Sequence, residues 1–166
     1  LGPNGAGKST LFNVISGIYQ AGSGSIRYRD QDISSFKPHQ VAKAGITRTF
    51  QNLRLFNEMT VIENIKSSRF CRTRAFFPSI IFGLNQHRRE ERETDSKARE
   101  ILALFGKRLT GYRFDQNVSQ LSYANRRRVE IARAMGSDPE ILLLDEPSAG
   151  MNPQETAEIT EFIKRL

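Results

Sequence analysis

Cysteine and long apolar runs are scarce in this sequence of 166 residues. Its single cysteine, Cys71, excludes an internal disulfide bond and a cysteine metal cluster, and it suits a reducing compartment. The longest apolar stretches, residues 75–84 (interrupted by Pro78) and residues 141–144, are far shorter than the ~18 residues that a membrane-spanning helix needs. We therefore expect one globular domain, or a core with one subdomain, and no transmembrane helix.

Positive charge is unevenly distributed along the chain. The formal net charge is +7, and residues 68–133 carry 15 Lys or Arg against 7 Asp or Glu. This excess leaves open a polyanionic partner such as nucleic acid. Charges of both signs alternate over residues 88–100, however, which is typical of a solvated helical face. We expect the solvated face and do not expect a nucleic-acid partner.

Apolar spacing predicts several helices and one buried strand. A helix follows the glycine-rich start of the chain, and two more cover residues 88–105 and 125–135. Residues 141–144 form a continuous apolar run, which is typical of a strand buried on both faces of a parallel sheet. A last helix is predicted to begin after Asn152 as N-cap, with an apolar face that ends in Leu166.

The glycine-rich start of the chain fits a phosphate-binding pattern. Residues 2–9 match G-x-x-x-x-G-K-S, the P-loop, in which small residues let the backbone wrap a phosphate. Backbone amides can point inward as an anion site, reinforced by the positive end of the following helix. In this pattern Lys8 reaches the β- and γ-phosphates and the Ser9 hydroxyl ligates Mg²⁺. The predicted nucleotide-binding residues are Asn4, Gly5, Ala6, Gly7, Lys8, Ser9 and Thr10.

Two carboxylates follow the apolar run at residues 141–144. An acidic side chain at the carboxyl end of a parallel strand lies at the sheet edge where α/β proteins bind ligands, so Asp145 could hold a metal ion through water. Glu146 follows directly and could act as general base for an attacking water. Loop capping would also explain two acids after a strand. Together with the P-loop, they predict hydrolysis of a Mg²⁺–nucleotide complex.

Five motifs in sequence order resemble those of the ATP-binding-cassette (ABC) ATPases. They are the P-loop, the Q-loop at residues 48–51, the signature segment at residues 121–135, Walker B at residues 141–147 and the D-loop at residues 148–152. The resemblance implies an α/β fold of the P-loop NTPase type, with a parallel-sheet core and a helical subdomain. Within the family, the chain resembles the ATPase subunit of branched-chain amino acid importers at residues 48–51, 55–56, 59–64 and 127–133, and urea and short-amide importers look similar.

The resemblance also implies residue roles. Gln51 would contact Mg²⁺ or the attacking water and pass the nucleotide state to a membrane subunit. Ser122, with the amides that begin the next helix, would close on the γ-phosphate held by a second copy. The implied catalytic residues are Glu146, Gln51 and Lys8, and the implied metal ligands are Ser9, Gln51 and Asp145.

A peripheral ATPase at the cytoplasmic face of the inner membrane is the implied assembly. Its cofactors would be ATP and Mg²⁺. Its partners would be a second ATPase subunit and transmembrane permease subunits, with a solute-binding protein contacted indirectly. The resemblance implies a core part at residues 1–67, a helical subdomain at residues 68–133, and a second core part at residues 134–166.

By comparison with the family, we expect the chain to be incomplete at both ends and inactive alone. The strand before the P-loop, an upstream aromatic residue for adenine and a switch histidine are expected outside it. His39 and His87 precede the signature segment, so they cannot replace the switch histidine, and we expect both at the surface.

The signature segment departs from the family pattern at two positions. Ala124 stands where glycine is usual, and Asn125 stands where glutamine is usual. A methyl group near a phosphate, or a positive φ imposed on alanine, would weaken hydrolysis. A weakly hydrolysing ATP-binding module is therefore one alternative function, and a soluble ABC ATPase acting on nucleic acid or ribosomes is another.

An apolar patch interrupts the basic segment. We interpret it either as core of the helical subdomain or as a dock for a permease helix, since exposed apolar patches mark interfaces. The patch comprises Phe76, Phe77, Ile80, Ile81 and Phe82.

Overall fold

The computed structural model describes residues 6–69 and 85–166, without the side chains of residues 85–87. Cys71 and the apolar patch at residues 76–82 lie outside this part of the chain. The helices described are α1 (Lys8–Ile15), α2 (Pro38–Ala44), α3 (Val61–Ser68), α4 (Asn85–Ala103), α5 (Tyr123–Gly136) and α6 (Pro153–Lys164). The strands are β1 (Arg27–Tyr28), β2 (Gln31–Asp32), β3 (Ile46–Arg48) and β4 (Ile141–Leu143). Short 3₁₀ helices at Gly106–Arg108, Gly111–Asp115 and Val118–Gln120 connect α4 with α5.

Strands β3 and β4 form a parallel pair, as the sequence predicts. Ile46 lies opposite Ile141, and the Thr49 N–H extends the pairing by donating to the Leu143 carbonyl at 2.9 Å. The prediction that β4 is buried on both faces is wrong. Ile141 is 38% exposed and residues 142–144 are half-buried.

Strands β1 and β2 form a short antiparallel hairpin beside this pair. The chain reaches it after α1, which ends at a sharp turn through Gly17. A Cβ atom at Gly17 would lie 2.4 Å from the Phe36 carbonyl oxygen, and its φ is 72°, so only glycine fits this close approach. A small apolar cluster of Ile33, Val41 and Ile46 fixes the hairpin and α2 against β3.

The main apolar core lies between α3, α4 and α5. Its fully buried members include Val61, Ile65, Ala98, Leu102, Leu109, Val118, Val129, Ile131 and Ala132. The helices predicted over residues 88–105 and 125–135 are confirmed, with ends that differ by a few residues. Because α3 shares this core, the helices that pack together include residues before position 68 as well as after it. The division into three segments stays a prediction.

Helix α6 closes the core from the other side. Asn152 caps it by accepting the Glu155 N–H at 2.9 Å, and the Glu155 carboxylate accepts the Asn152 N–H at 3.1 Å, as the sequence predicts. Ile159 is buried, and the Phe162 ring lies 4.2 Å from the Phe105 ring. Leu166, which the sequence predicts on the same face, is 58% exposed.

The exposed face of α4 carries paired charges. Arg89 bonds to Glu93 at 2.8 Å and Arg99 bonds to Asp95 at 2.7 Å, each one helical turn apart. These pairs match the solvated face that the charge alternation predicts. His39 is exposed on α2, as expected. Within residues 6–69 and 85–166, no helix combines the length and the apolar character that crossing a membrane requires.

Candidate functional site

The described end of the P-loop runs directly into α1. Gly7 has a φ of 73°, which glycine adopts without strain, and its carbonyl accepts the Leu11 N–H at 2.9 Å. Lys8, Ser9 and Thr10 form the exposed first turn of the helix. Amides in a first turn lack acceptors within the helix, so this turn is suited to an anion. Asn4 and Gly5 lie outside the described residues.

Arg48 joins α1 to the carboxyl end of β4. Its Nη1 donates to Asn13 Oδ1 at 2.6 Å, and its Nη2 donates to Asp145 Oδ2 at 2.9 Å. The Arg48 and Asp145 side chains are only 7% and 13% exposed. The guanidinium also lies 5.4 Å from the ring centres of Phe12 and Phe50. One buried cation therefore holds the helix that follows the P-loop beside the predicted metal-binding carboxylate.

Asp145 and Glu146 lie where the parallel strand ends, as the sequence predicts. The Asp145 N–H donates to Thr49 Oγ1 at 3.3 Å, which ties this turn to the chain that leaves β3. Glu146 is exposed and has a φ of 47°, in the left-handed region that side chains other than glycine rarely adopt. The catalytic and metal-binding roles of the two carboxylates stay predictions.

Arg127, on α5, forms a second junction between distant segments. Its side chain is fully buried. Nη1 donates to the Phe50 carbonyl and to Glu130 Oε2, both at 2.6 Å. Nη2 donates to the Asp145 carbonyl at 2.7 Å and to the Glu146 carbonyl at 3.0 Å. The helix of the signature segment is thus bonded to both the Q-loop and the Walker B turn.

Glu130 completes this junction from the same helix. Its Oε1 accepts the Phe50 N–H at 3.3 Å, so the Phe50 residue is held at both its N–H and its carbonyl. Burial raises the pKa of Glu130, while the Arg127 charge and the bond from Phe50 act in the opposite direction. Gln51 is exposed, and its carbonyl oxygen lies 3.5 Å from Arg127 Nη1.

The signature residue Ser122 is the exposed N-cap of α5. Its hydroxyl accepts the Asn125 N–H at 3.4 Å, so the serine marks a helix N-terminus, as the sequence predicts. Asn125 is buried, and its Oδ1 accepts from Arg128 Nη1 at 3.1 Å.

Ala124 does not carry the backbone strain that was expected of it. Among the described non-glycine residues, the positive φ values belong to Arg29, Asp138 and Glu146. Ala124 lies inside α5, which begins at Tyr123, and its side chain is 4% exposed. Because the helix has already begun, alanine fits this backbone. The backbone argument for weak hydrolysis is therefore wrong.

Sequence reasoning missed the two arginine junctions. It assigned no role to Asn13, Thr49, Arg48, Arg127 or Glu130. One signal was available: Arg127 and Glu130 fall on the buried helical stripe that continues through Ile131 and Ala134. Charged residues on a buried stripe are almost never left unpaired, so they mark an internal ion pair.

Comparisons with known proteins agree with these motifs. The ABC transporter family model matches residues 1–149. The chain is 42% identical over all its 166 residues to the high-affinity branched-chain amino acid transport ATP-binding protein LivG of Escherichia coli, and it covers 64% of that protein. It is 41% identical over the same 166 residues to the corresponding protein BraF of Pseudomonas aeruginosa, again covering 64% of it.

A solved structure has the same fold. The ADP conformation of an ATP-binding cassette of an ABC transporter matches with a TM-score of 0.78 and 31% identity. This match covers 99% of the chain and 63% of the solved one. The family model spans the P-loop, the Q-loop, the signature segment and Walker B in order. The chain therefore belongs to the ABC transporter family.

Proposed function

We propose that this chain is the ATP-binding and ATP-hydrolysing part of an ABC importer for branched-chain amino acids. The names of the LivG and BraF relatives support the substrate class. One observation carries the activity: Arg48 holds α1, which follows the P-loop, beside Asp145 at the end of β4. Hydrolysis of a nucleotide needs a phosphate site and a metal-binding carboxylate in one place, and the contact supports the proposal because it joins α1 to the turn that carries Asp145.

The donor groups of the site suit ATP with Mg²⁺. Mg²⁺ takes oxygen ligands, and at nucleotide sites it is held by one or two carboxylates together with substrate phosphates and waters. Ser9, Gln51 and Asp145 would supply a hydroxyl, an amide oxygen and a carboxylate of this kind. When bound, the ion would neutralise charge on the phosphates. The first turn of α1, with Lys8 and Thr10, would hold the phosphates themselves.

The remaining residues would act on water and on a second copy of the chain. The Glu146 carboxylate would accept a proton from the attacking water, and Gln51 would orient that water. Ser122 and the N-terminus of α5 would bind the γ-phosphate held by the second copy, so that two ATP molecules lie in the dimer interface. Closure of the dimer would then be passed to permease subunits at the cytoplasmic face of the membrane.

The experiment is to measure ATP binding and hydrolysis by the full-length protein and by its Glu146→Gln variant. We expect binding to be retained and kcat to fall about 100-fold or more, because the variant lacks the general base. The matched control is Glu91→Gln, which changes an exposed glutamate on α4. Failure of the wild-type protein to hydrolyse ATP, or equal loss of activity in both variants, would contradict the proposed reaction.

The substrate class needs a second measurement. The protein is combined with its permease and solute-binding protein in vesicles, and uptake of radiolabelled leucine is compared with uptake of ribose. We expect ATP-dependent uptake of leucine that the Glu146→Gln variant abolishes. Uptake of ribose alone would contradict the branched-chain assignment and leave the ATPase assignment standing.

A further inference from the structure

We propose that Arg127 is a positioning residue that holds Glu146 and Gln51 in the relative positions that hydrolysis requires. The inference rests on the proposed function and names a residue that the P-loop, Walker B and Q-loop roles do not include. Arg127 is not expected to touch nucleotide, since its side chain is fully buried and its terminal N–H groups face five protein oxygens.

The first supporting observation is the arrangement of these bonds. One guanidinium nitrogen holds the Q-loop at Phe50, and the other holds the Walker B turn at Asp145 and Glu146. The planar fork of arginine satisfies two such directions at once, whereas a lysine ammonium is a single point of charge. The two loops that carry the water-activating and water-orienting groups therefore share one anchor.

The second observation is the backbone of Glu146. A φ of 47° costs a non-glycine residue about 1–2 kcal/mol, and such a conformation persists only where its surroundings hold it in place. The Glu146 carbonyl accepts from Arg127 Nη2 and from the Ala149 N–H, each at 3.0 Å. Arg127 is thus a direct partner of the backbone that orients the predicted general base.

The third observation is that α5 carries a second buried arginine, Arg128, with which Arg127 can be compared. Arg128 is also almost fully buried and also bonds a glutamate, Glu158, at 2.9 Å. Its other partner is Asn125, on its own helix. Arg128 therefore matches Arg127 in burial and ion pairing, but one of its bonds runs to α6 and the other stays within α5, and neither reaches the Q-loop or the Walker B turn.

The experiment compares Arg127→Lys with Arg128→Lys in the full-length protein, alone and combined with Glu146→Gln. Readouts are the dissociation constant of a fluorescent ATP analogue, kcat and the thermal unfolding midpoint. For Arg127→Lys we expect nucleotide affinity within about threefold of wild type and a kcat about 100-fold lower, since a misplacement near 1 Å has that effect. For Arg128→Lys we expect a similar loss of thermal stability with kcat within about threefold of wild type.

The combined variant distinguishes positioning from a purely structural role. If Arg127 acts through Glu146, Arg127→Lys lowers kcat much less in the Glu146→Gln background than in wild type. Equal fold-losses in both backgrounds, or unchanged kcat in Arg127→Lys, would overturn the inference. If Arg127→Lys does not fold, Glu130→Gln takes its place, because it removes the charge that holds the guanidinium. Equal fold-losses of kcat in both backgrounds, or an unchanged kcat in Glu130→Gln, would then overturn the inference. If Glu146→Gln alone leaves kcat unchanged, the proposed function is refuted instead.

Discussion

Removal of the Arg48 side chain is expected to destabilise the fold strongly. In Arg48→Met the apolar length of the side chain is kept, but Asp145 loses the guanidinium bonded to it at 2.9 Å. Two unit charges about 4 Å apart attract by about 4 kcal/mol at an effective dielectric constant near 20, and desolvation of both ions offsets much of this. Removing one partner alone leaves the other carboxylate buried and uncompensated, which costs about 3–5 kcal/mol.

Asp145 keeps limited contact with solvent, at 13% exposure, so the lower end of this range applies. We expect the free energy of unfolding to fall by about 3 kcal/mol in Arg48→Met. The assay is urea unfolding of the nucleotide-free, full-length protein. The urea concentration at the unfolding midpoint is compared between variants whose dependence of unfolding free energy on urea concentration is the same. The control is Arg92→Met, which changes an exposed arginine on α4 and is expected to alter stability by less than about 0.5 kcal/mol.

A double-mutant cycle tests the pairing itself. Because Asp145→Asn removes the charge that Arg48 neutralises, the double variant is expected to be less destabilised than the sum of the single variants, by about 1–3 kcal/mol. Additive effects, or an Arg48→Met variant within about 0.5 kcal/mol of wild type, would refute the reasoning that this ion pair joins α1 to the end of β4.

Two further predictions concern the packing and the pH dependence of the fold. Leu102→Ala is expected to lower the free energy of unfolding by about 2–5 kcal/mol, because Leu102 is fully buried, whereas Leu104→Ala should change it by less than about 0.5 kcal/mol. Urea unfolding of both variants checks this, and equal effects would contradict the described core. The Thr60 N–H and hydroxyl donate to the Glu63 carboxylate and lower its pKa, so this stabilisation is present above the unfolded pKa and is lost as pH falls through the folded one. Glu63→Ala should therefore destabilise the protein at pH 7, by less than about 1 kcal/mol, and approach wild-type stability near pH 3; a difference that persists there would contradict this.

Local features of the fold could be predicted because their causes lie within a few residues. The start of α6 depends on Asn152, Pro153 and Glu155, and the start of α1 depends on the glycine before Lys8. The helical periods of α4 and α5 likewise follow from the spacing of their own apolar residues. For the same reason, the sequence placed Asp145 and Glu146 at the end of a parallel strand before any partner strand was known.

Burial at the ends of elements could not be predicted in this way. Leu104 directly follows the apolar face of α4, yet it is 56% exposed, whereas its neighbour Phe105 is buried. Ile141 belongs to an apolar run that predicts a fully buried strand, yet it is 38% exposed. Burial depends on which neighbours cover a side chain, and a pattern of apolar residues does not state that.

The sequence by itself determined the family and the order of the motifs, and it predicts which residues bind a Mg²⁺–nucleotide. Only the tertiary structure decided how these motifs are joined. Arg48 and Asp145 are 97 residues apart in the chain, and Arg127 and Phe50 are 77 apart. From sequence alone, an arginine is predicted at the surface, because a buried charge is stable only where acceptors pair with it. Those acceptors lie far away in the chain, so only the tertiary structure shows them.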